Sequence, residues 1–174
     1  FPEQKYLRGI LAAGTFCYQS QQLMRAAGIT INSNSPFDQK DRLADPNQSF
    51  EHSIVDMGDD VYMVGKPHPM IDGTQRTRRI LADSRDPQVA VLYLDFILGY
   101  NASMDPVGEL LDAILEAKRI SGQRGGALTV VASVCGTEAD PQDVGLQIKL
   151  LREAGALVYR SNALASAACC ELLG

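Results

Sequence analysis

Two nearly unbroken apolar runs, Val89 to Phe96 and Leu128 to Val134, constrain this chain more than any other feature. Runs this short, rich in β-branched residues and without alternation, are what strands covered on both faces look like. Three further apolar segments, Leu7–Ala12, His52–Met57 and Ala156–Tyr159, read as strands as well. Between and after them lie amphipathic stretches with helical periodicity, at Phe16–Ala27, Gln75–Ser84, Pro106–Ser121, Pro141–Ala154 and Asn162–Leu173. Strand and helix alternate five times, which predicts an α/β domain built on a largely parallel sheet.

The helix ends carry their own signals. Thr74, Asp105, Asp140 and Ser161 each stand where a side-chain oxygen would cap a following helix, and Pro106 and Pro141 stand at the first helical position, where a missing N–H costs nothing. Gly28, Gly122 and Gly155 stand where helices should stop. The segment Ile29 to Glu51 departs from this order. It is rich in Asn, Ser, Asp and Pro and lacks periodicity, so it reads as a long loop that serves function or packs on a partner.

With 174 residues the chain is most simply one domain, 1–174. Its formal charge of −5 argues against nucleic acid or an anionic membrane as the main partner, so any anion site must be local. No apolar run approaches the roughly 20 residues of a membrane-spanning helix, and the expected location is cytoplasmic. Cys17, Cys135, Cys169 and Cys170 have no zinc-ligand spacing and read as reduced thiols. The start at Phe1-Pro2 reads as a piece of a longer protein.

In open α/β sheets, ligands bind beyond the carboxyl ends of the strands. Gly14-Thr15 follows the first strand directly and opens a helix, leaving free backbone N–H groups and the positive dipole end facing outward. An anion site and a purely structural βα turn are both consistent with that motif. His68 sits between Pro67 and Pro69, which stiffen its loop; it reads as a proton shuttle, anion ligand or phosphoryl acceptor, or else as a structural histidine. His52, in or beside a strand, reads as structural. Asp56, Asp59 and Asp60 fit a magnesium cluster or ordinary turn chemistry, with the turn favoured. Cys135 lacks a nearby base and reads as a buried or semi-buried structural thiol, and Glu138 and Asp140 as residues favouring a following helix dipole.

Four motifs in one order carry a resemblance: Leu7-Arg-Gly-Ile-Leu-Ala-Ala-Gly-Thr-Phe-Cys17, Val55-Asp-Met-Gly-Asp-Asp60, Gly65-Lys-Pro-His-Pro-Met-Ile-Asp72 and Val131-Ala-Ser-Val-Cys-Gly-Thr-Glu-Ala-Asp-Pro-Gln142. Together they resemble the FdrA family of acyl-CoA synthetase-like proteins, across essentially the whole chain. The resemblance implies the CoA-ligase domain of the succinyl-CoA synthetase alpha-subunit superfamily. Its expected fold is a flavodoxin-like three-layer sandwich with a five-stranded parallel sheet of order 2-1-3-4-5.

In that superfamily a Ser-Gly-Thr turn after the first strand holds the phosphate of a phosphohistidine. Here Gly14-Thr15 matches, with Ala13 in place of the serine, while the Gly-His-Ala-Gly loop that bears the phosphorylated histidine is missing after Val134. The resemblance therefore implies a domain handling phosphate or an acyl or carbamoyl phosphate, as in acyl-CoA synthesis or oxamate carbamoyl transfer, without a histidine carrier on that loop. Gly14 and Thr15 are the expected backbone donors to the phosphate, with Gly136 and Thr137 lining the opposite side of the site, and Lys66 and His68 are the candidate catalytic residues that neutralise charge or move a proton; no metal ligand is assigned. CoA would bind chiefly to another domain, and nucleotide with magnesium elsewhere if used. Expected partners are further domains of a longer chain, a beta-subunit-like protein or a second copy. A non-catalytic docking role for the Asn32–Gln48 loop is the competing reading, and the isolated domain is expected to be inactive.

Overall fold

A computed structural model describes residues 3–174. The strands are β1 (Tyr6–Leu11), β2 (Ser53–Asp56), β3 (Val89–Ile97), β4 (Thr129–Cys135) and β5 (Ala156–Tyr159). All pair in parallel in the order β2-β1-β3-β4-β5, which is the predicted flavodoxin-like arrangement. The order reverses at β1, which lies between β2 and β3, so the crevice beyond the ends of β1 and β3 is the place such a sheet leaves open for a ligand.

Strand side chains alternate between two cores. Leu7, Leu11, Val91, Tyr93 and Val131 pack with Cys17 and Met24 of α1 (Gly14–Ala26) and Ala165 and Cys169 of α6 (Asn162–Leu173). Ile10, Leu92, Leu94, Val130 and Ala132 face the other way, against Ile80 of α3 (Thr74–Asp83), Leu110 and Ile114 of α4 (Gly108–Gln123) and Leu151 of α5 (Val144–Glu153). Both faces of β3 and β4 are thereby covered, which explains their unbroken apolar runs.

Several boundaries differ from the sequence expectation. The fourth helix starts at Gly108, two residues past Pro106, and the fifth at Val144, three past Pro141. Asp143 caps α5 through the Leu146 amide, whereas Asp140 accepts from the Thr137 amide and hydroxyl instead. Thr74 is the first residue of α3, and Asp72 accepts its amide. Gly122 lies inside α4, and Gly125, at φ 76°, takes the left-handed position that follows. The short helix α2 (Asp60–Met63) was not foreseen; Asp59 caps it through the Val61 amide.

The Ile29–Glu51 loop is stitched to its own domain. Gln21 brackets it by donating to the Ser35 carbonyl and accepting from the Phe37 amide. Arg79 donates to the Pro46 carbonyl and the Ser49 hydroxyl. Many of the loop's polar groups are thus satisfied internally. No helix among the described residues is long and apolar enough to cross a membrane.

Candidate functional site

The turn from β1 into α1 is held from below by a buried ion pair that the sequence reading missed. Asp95, near the end of β3 and fully buried, accepts the Ala12 amide at 2.7 Å and the Ala13 amide at 3.0 Å. Arg76 of α3, 3% exposed, reaches under the sheet to Asp95 Oδ1 at 3.0 Å, the Asp95 carbonyl at 2.7 Å and the Ile10 carbonyl at 3.0 Å. Burial pulls the Arg76 guanidinium below its ordinary pKa, and Asp95 and Glu109 oppose that pull. A lone charge at the end of an apolar strand was the available signal, because a buried charge requires a partner.

With Ala12 and Ala13 fixed, helix α1 begins at Gly14 without a side-chain cap. The first bond into the helix is Cys17 N–H to the Ala13 carbonyl. The Gly14, Thr15 and Phe16 amides therefore have no protein acceptor among the described residues, as the opening turn of a helix requires. Gly14 and Thr15 are exposed at the strand-end edge of the sheet.

Asp56 ends β2 beside this turn. Asn34 locks its backbone, accepting its amide at 2.9 Å and donating to its carbonyl at 3.1 Å. Its Oδ1 accepts the Gly58 amide at 2.9 Å. Its Oδ2 lies only 2.6 Å from where a Cβ on Gly14 would stand. Burial pushes the Asp56 carboxyl up, the nearby charges of Asp59 and Asp95 push it further, and the Gly58 amide and His68 oppose the rise.

His68 comes to the same place from the loop between α2 and α3. Its Nδ1 accepts the Met70 amide at 3.1 Å. Its carbonyl takes the Ile71 and Asp72 amides, so prolines and hydrogen bonds together fix the loop. A Cβ on Gly58 would meet His68 Nε2 at 2.8 Å, the Ala12 carbonyl at 3.0 Å and Asp56 Oδ1 at 3.2 Å. Only a glycine leaves room for the three to converge there.

The other sequence candidates lie apart from this turn. Lys66 is exposed and donates to Gln75. Gly136 and Thr137 follow β4, two strands from β1 and therefore about 10 Å across the sheet. The Gly136 carbonyl accepts from Arg160, and the Thr137 amide and hydroxyl are taken by Asp140. Cys135 is exposed, not buried, because it is the last residue of β4 and has passed beyond the covering helices. His52 accepts the Leu7 amide and packs edge-on to Tyr6, a structural role. Asp59 is engaged in capping α2, and no three metal-ligating side chains converge among the described residues.

One consequence concerns stability. A carboxyl whose folded pKa is raised is neutral in both states below its unfolded pKa of about 3.9, and the cost of burying its charge appears as pH rises through the folded value. Asp56→Asn, which can still accept the Gly58 amide, is therefore expected to melt higher than the parent at pH 7 and at the same temperature near pH 3. Thermal melts at the two pH values check this; equal melting temperatures at pH 7 would refute it.

A family profile described as CoA-ligase matches residues 10–171. The uncharacterized protein YahF of Escherichia coli (strain K12) is 40% identical over 161 residues, covering 92% of this chain and 31% of that protein. Among solved structures, the dinucleotide-forming acetyl-coenzyme A synthetase 1 of Ca. Korarchaeum cryptofilum, in complex with phosphate and ADP, superposes with a TM-score of 0.62. It is 20% identical, and the match covers 98% of this chain and 32% of that one. The chain thus spans about a third of the length of each of these relatives.

Proposed function

The chain belongs to the CoA-ligase family, and from that premise we propose that it is the part of a longer FdrA-like acyl-CoA synthetase relative that holds phosphate, or the phosphate of an acyl or carbamoyl phosphate. The observation that carries this reading is the row of Gly14, Thr15 and Phe16 amides without a protein acceptor, at the strand-end edge where the sheet order reverses. Such amides, with the helix dipole behind them, suit an anion that gathers charge as it leaves a carbonyl carbon. Asp95 and Arg76 hold the turn in shape before any ligand arrives, so no folding free energy is drawn from binding.

Asp56 stands beside the start of the helix as the group that handles a proton, with His68 next to it at Gly58. Gly136 and Thr137 form the more distant wall. Lys66, exposed on the loop before His68, is the residue to neutralise charge when other domains close over the site. CoA and any nucleotide are assigned to other parts of the longer protein, since the matched relatives extend to about three times this chain's length. In this reading the isolated domain binds phosphate without turning over, and acyl-CoA synthesis or carbamoyl transfer requires the full assembly.

The test is a titration with inorganic phosphate followed by amide NMR. The Gly14, Thr15 and Phe16 amide signals are expected to move together and saturate, while those of Thr137 and Ala139, already bonded within their own turn, stay in place. Movement confined to other amides would remove the phosphate role from α1.

A further inference from the structure

Resting on the acyl phosphate reading above, we propose that Asp56 is the proton acceptor of this site and that His68 is its positioning partner. The hydrogen bonds divide the roles. Because the Met70 amide donates to His68 Nδ1, the neutral imidazole carries its proton on Nε2. That is the nitrogen beside Gly58, on the side where Asp56 Oδ1 and the Ala12 carbonyl also stand. A nitrogen that carries a proton has no lone pair free for a second proton or a phosphoryl group. Nε2–H is instead a donor, and Asp56 Oδ1 and the Ala12 carbonyl are the acceptors that share its side of Gly58, with no hydrogen bond between them among the described residues.

Asp56 has the complementary arrangement. One oxygen is held by the Gly58 amide, and the other, Oδ2, has no donor among the described residues and faces the start of α1. The neighbouring groups leave it no rival. From α1, Cys17 is kept as a thiol, its pKa pushed up to about 12 by burial and by Asp56 itself. From β3, Asp95 is engaged by Arg76 of α3 and by two backbone amides. Asp59 caps α2, and exposed Lys66 donates to Gln75. The raised Asp56 pKa makes its carboxylate a stronger base than an ordinary aspartate.

The step is an acyl transfer from phosphate to the thiol of CoA. The thiol sulfur forms a bond to the carbonyl carbon, and its proton passes to Asp56 Oδ2. The carbon–oxygen bond to phosphate breaks, and the electron pair leaves with the phosphate. Asp56 then gives the proton to the departing phosphate, so acyl phosphate and thiol become thioester and hydrogen phosphate.

The experiment uses the full-length protein with acetyl phosphate and carbamoyl phosphate as probes, CoA as acceptor, and phosphate release measured across pH. Wild-type kcat is expected to rise with pH along one acid limb to a plateau. Asp56→Asn should lower kcat about 10²–10⁴-fold and abolish that limb, and Asp56→Glu should keep it. His68→Gln, which can still present a donor, should retain the limb at moderately reduced kcat. An acid limb that survives in Asp56→Asn, or disappears in His68→Gln, overturns the assignment. If the wild type consumes neither probe, the acyl phosphate reading itself fails. Nitrogen-15 NMR of His68 decides the geometry in either case: the Nε2–H tautomer is expected, and an Nδ1–H tautomer overturns the proposal regardless of turnover.

Discussion

Arg76→Ala is expected to lower the unfolding free energy by about 3–5 kcal/mol, the cost of leaving one member of a buried ion pair without the other. Asp95 is fully buried, and without the guanidinium its charge would be answered only by the Ala12 and Ala13 amides. The same substitution removes the bond to the Ile10 carbonyl, so β1 and β3 both lose an anchor where the site begins. Urea denaturation measures the loss. A double variant, Arg76→Met with Asp95→Asn, should recover much of it, because neutralising both partners removes the stranded charge. A loss below about 1 kcal/mol for Arg76→Ala would mean that the pair does not hold the turn.

Gly14→Val is expected to weaken phosphate binding about 100-fold, equivalent to losing one or two charge-assisted hydrogen bonds. Its Cβ would stand 2.6 Å from Asp56 Oδ2, so the carboxylate must move or the turn must open. Gly14 does not have positive φ, so the damage comes from crowding and not from backbone strain. The variant should remain folded, with α1 intact by circular dichroism, while phosphate no longer moves the Thr15 and Phe16 amides. Undiminished affinity in a folded Gly14→Val protein would show that phosphate does not use this turn.

Particular residues show how far the sequence could be read. The runs through Val91, Leu92, Tyr93 and Leu94 and through Val130, Val131 and Ala132 could only be strands covered on both faces, and they are. Ser161 was placed correctly as a cap because its helix begins at the next residue. Pro106 and Pro141 misled because proline restricts its own φ without deciding how many residues of turn precede the first helical bond. Cys135 was expected to be buried or semi-buried because no base stands near it in the sequence, but exposure depends on where the covering helices end.

The sequence by itself determined the alternation of five strands with the main helices and the glycine turn at Gly14, because hydrophobic period and turn chemistry are local properties, whereas the order of the strands in the sheet was expected only through the family resemblance. The site was decided by the tertiary structure. Asp56 stands 42 positions after Gly14 in the chain, His68 comes from a separate loop, and Asp95 and Arg76 meet beneath the turn only because β3 lies beside β1 and the Arg76 side chain reaches from α3 to both strands. No local pattern records those approaches. They follow from parallel pairing, which brings the ends of β1, β2 and β3 to one edge and sets residues distant in sequence within hydrogen-bonding reach.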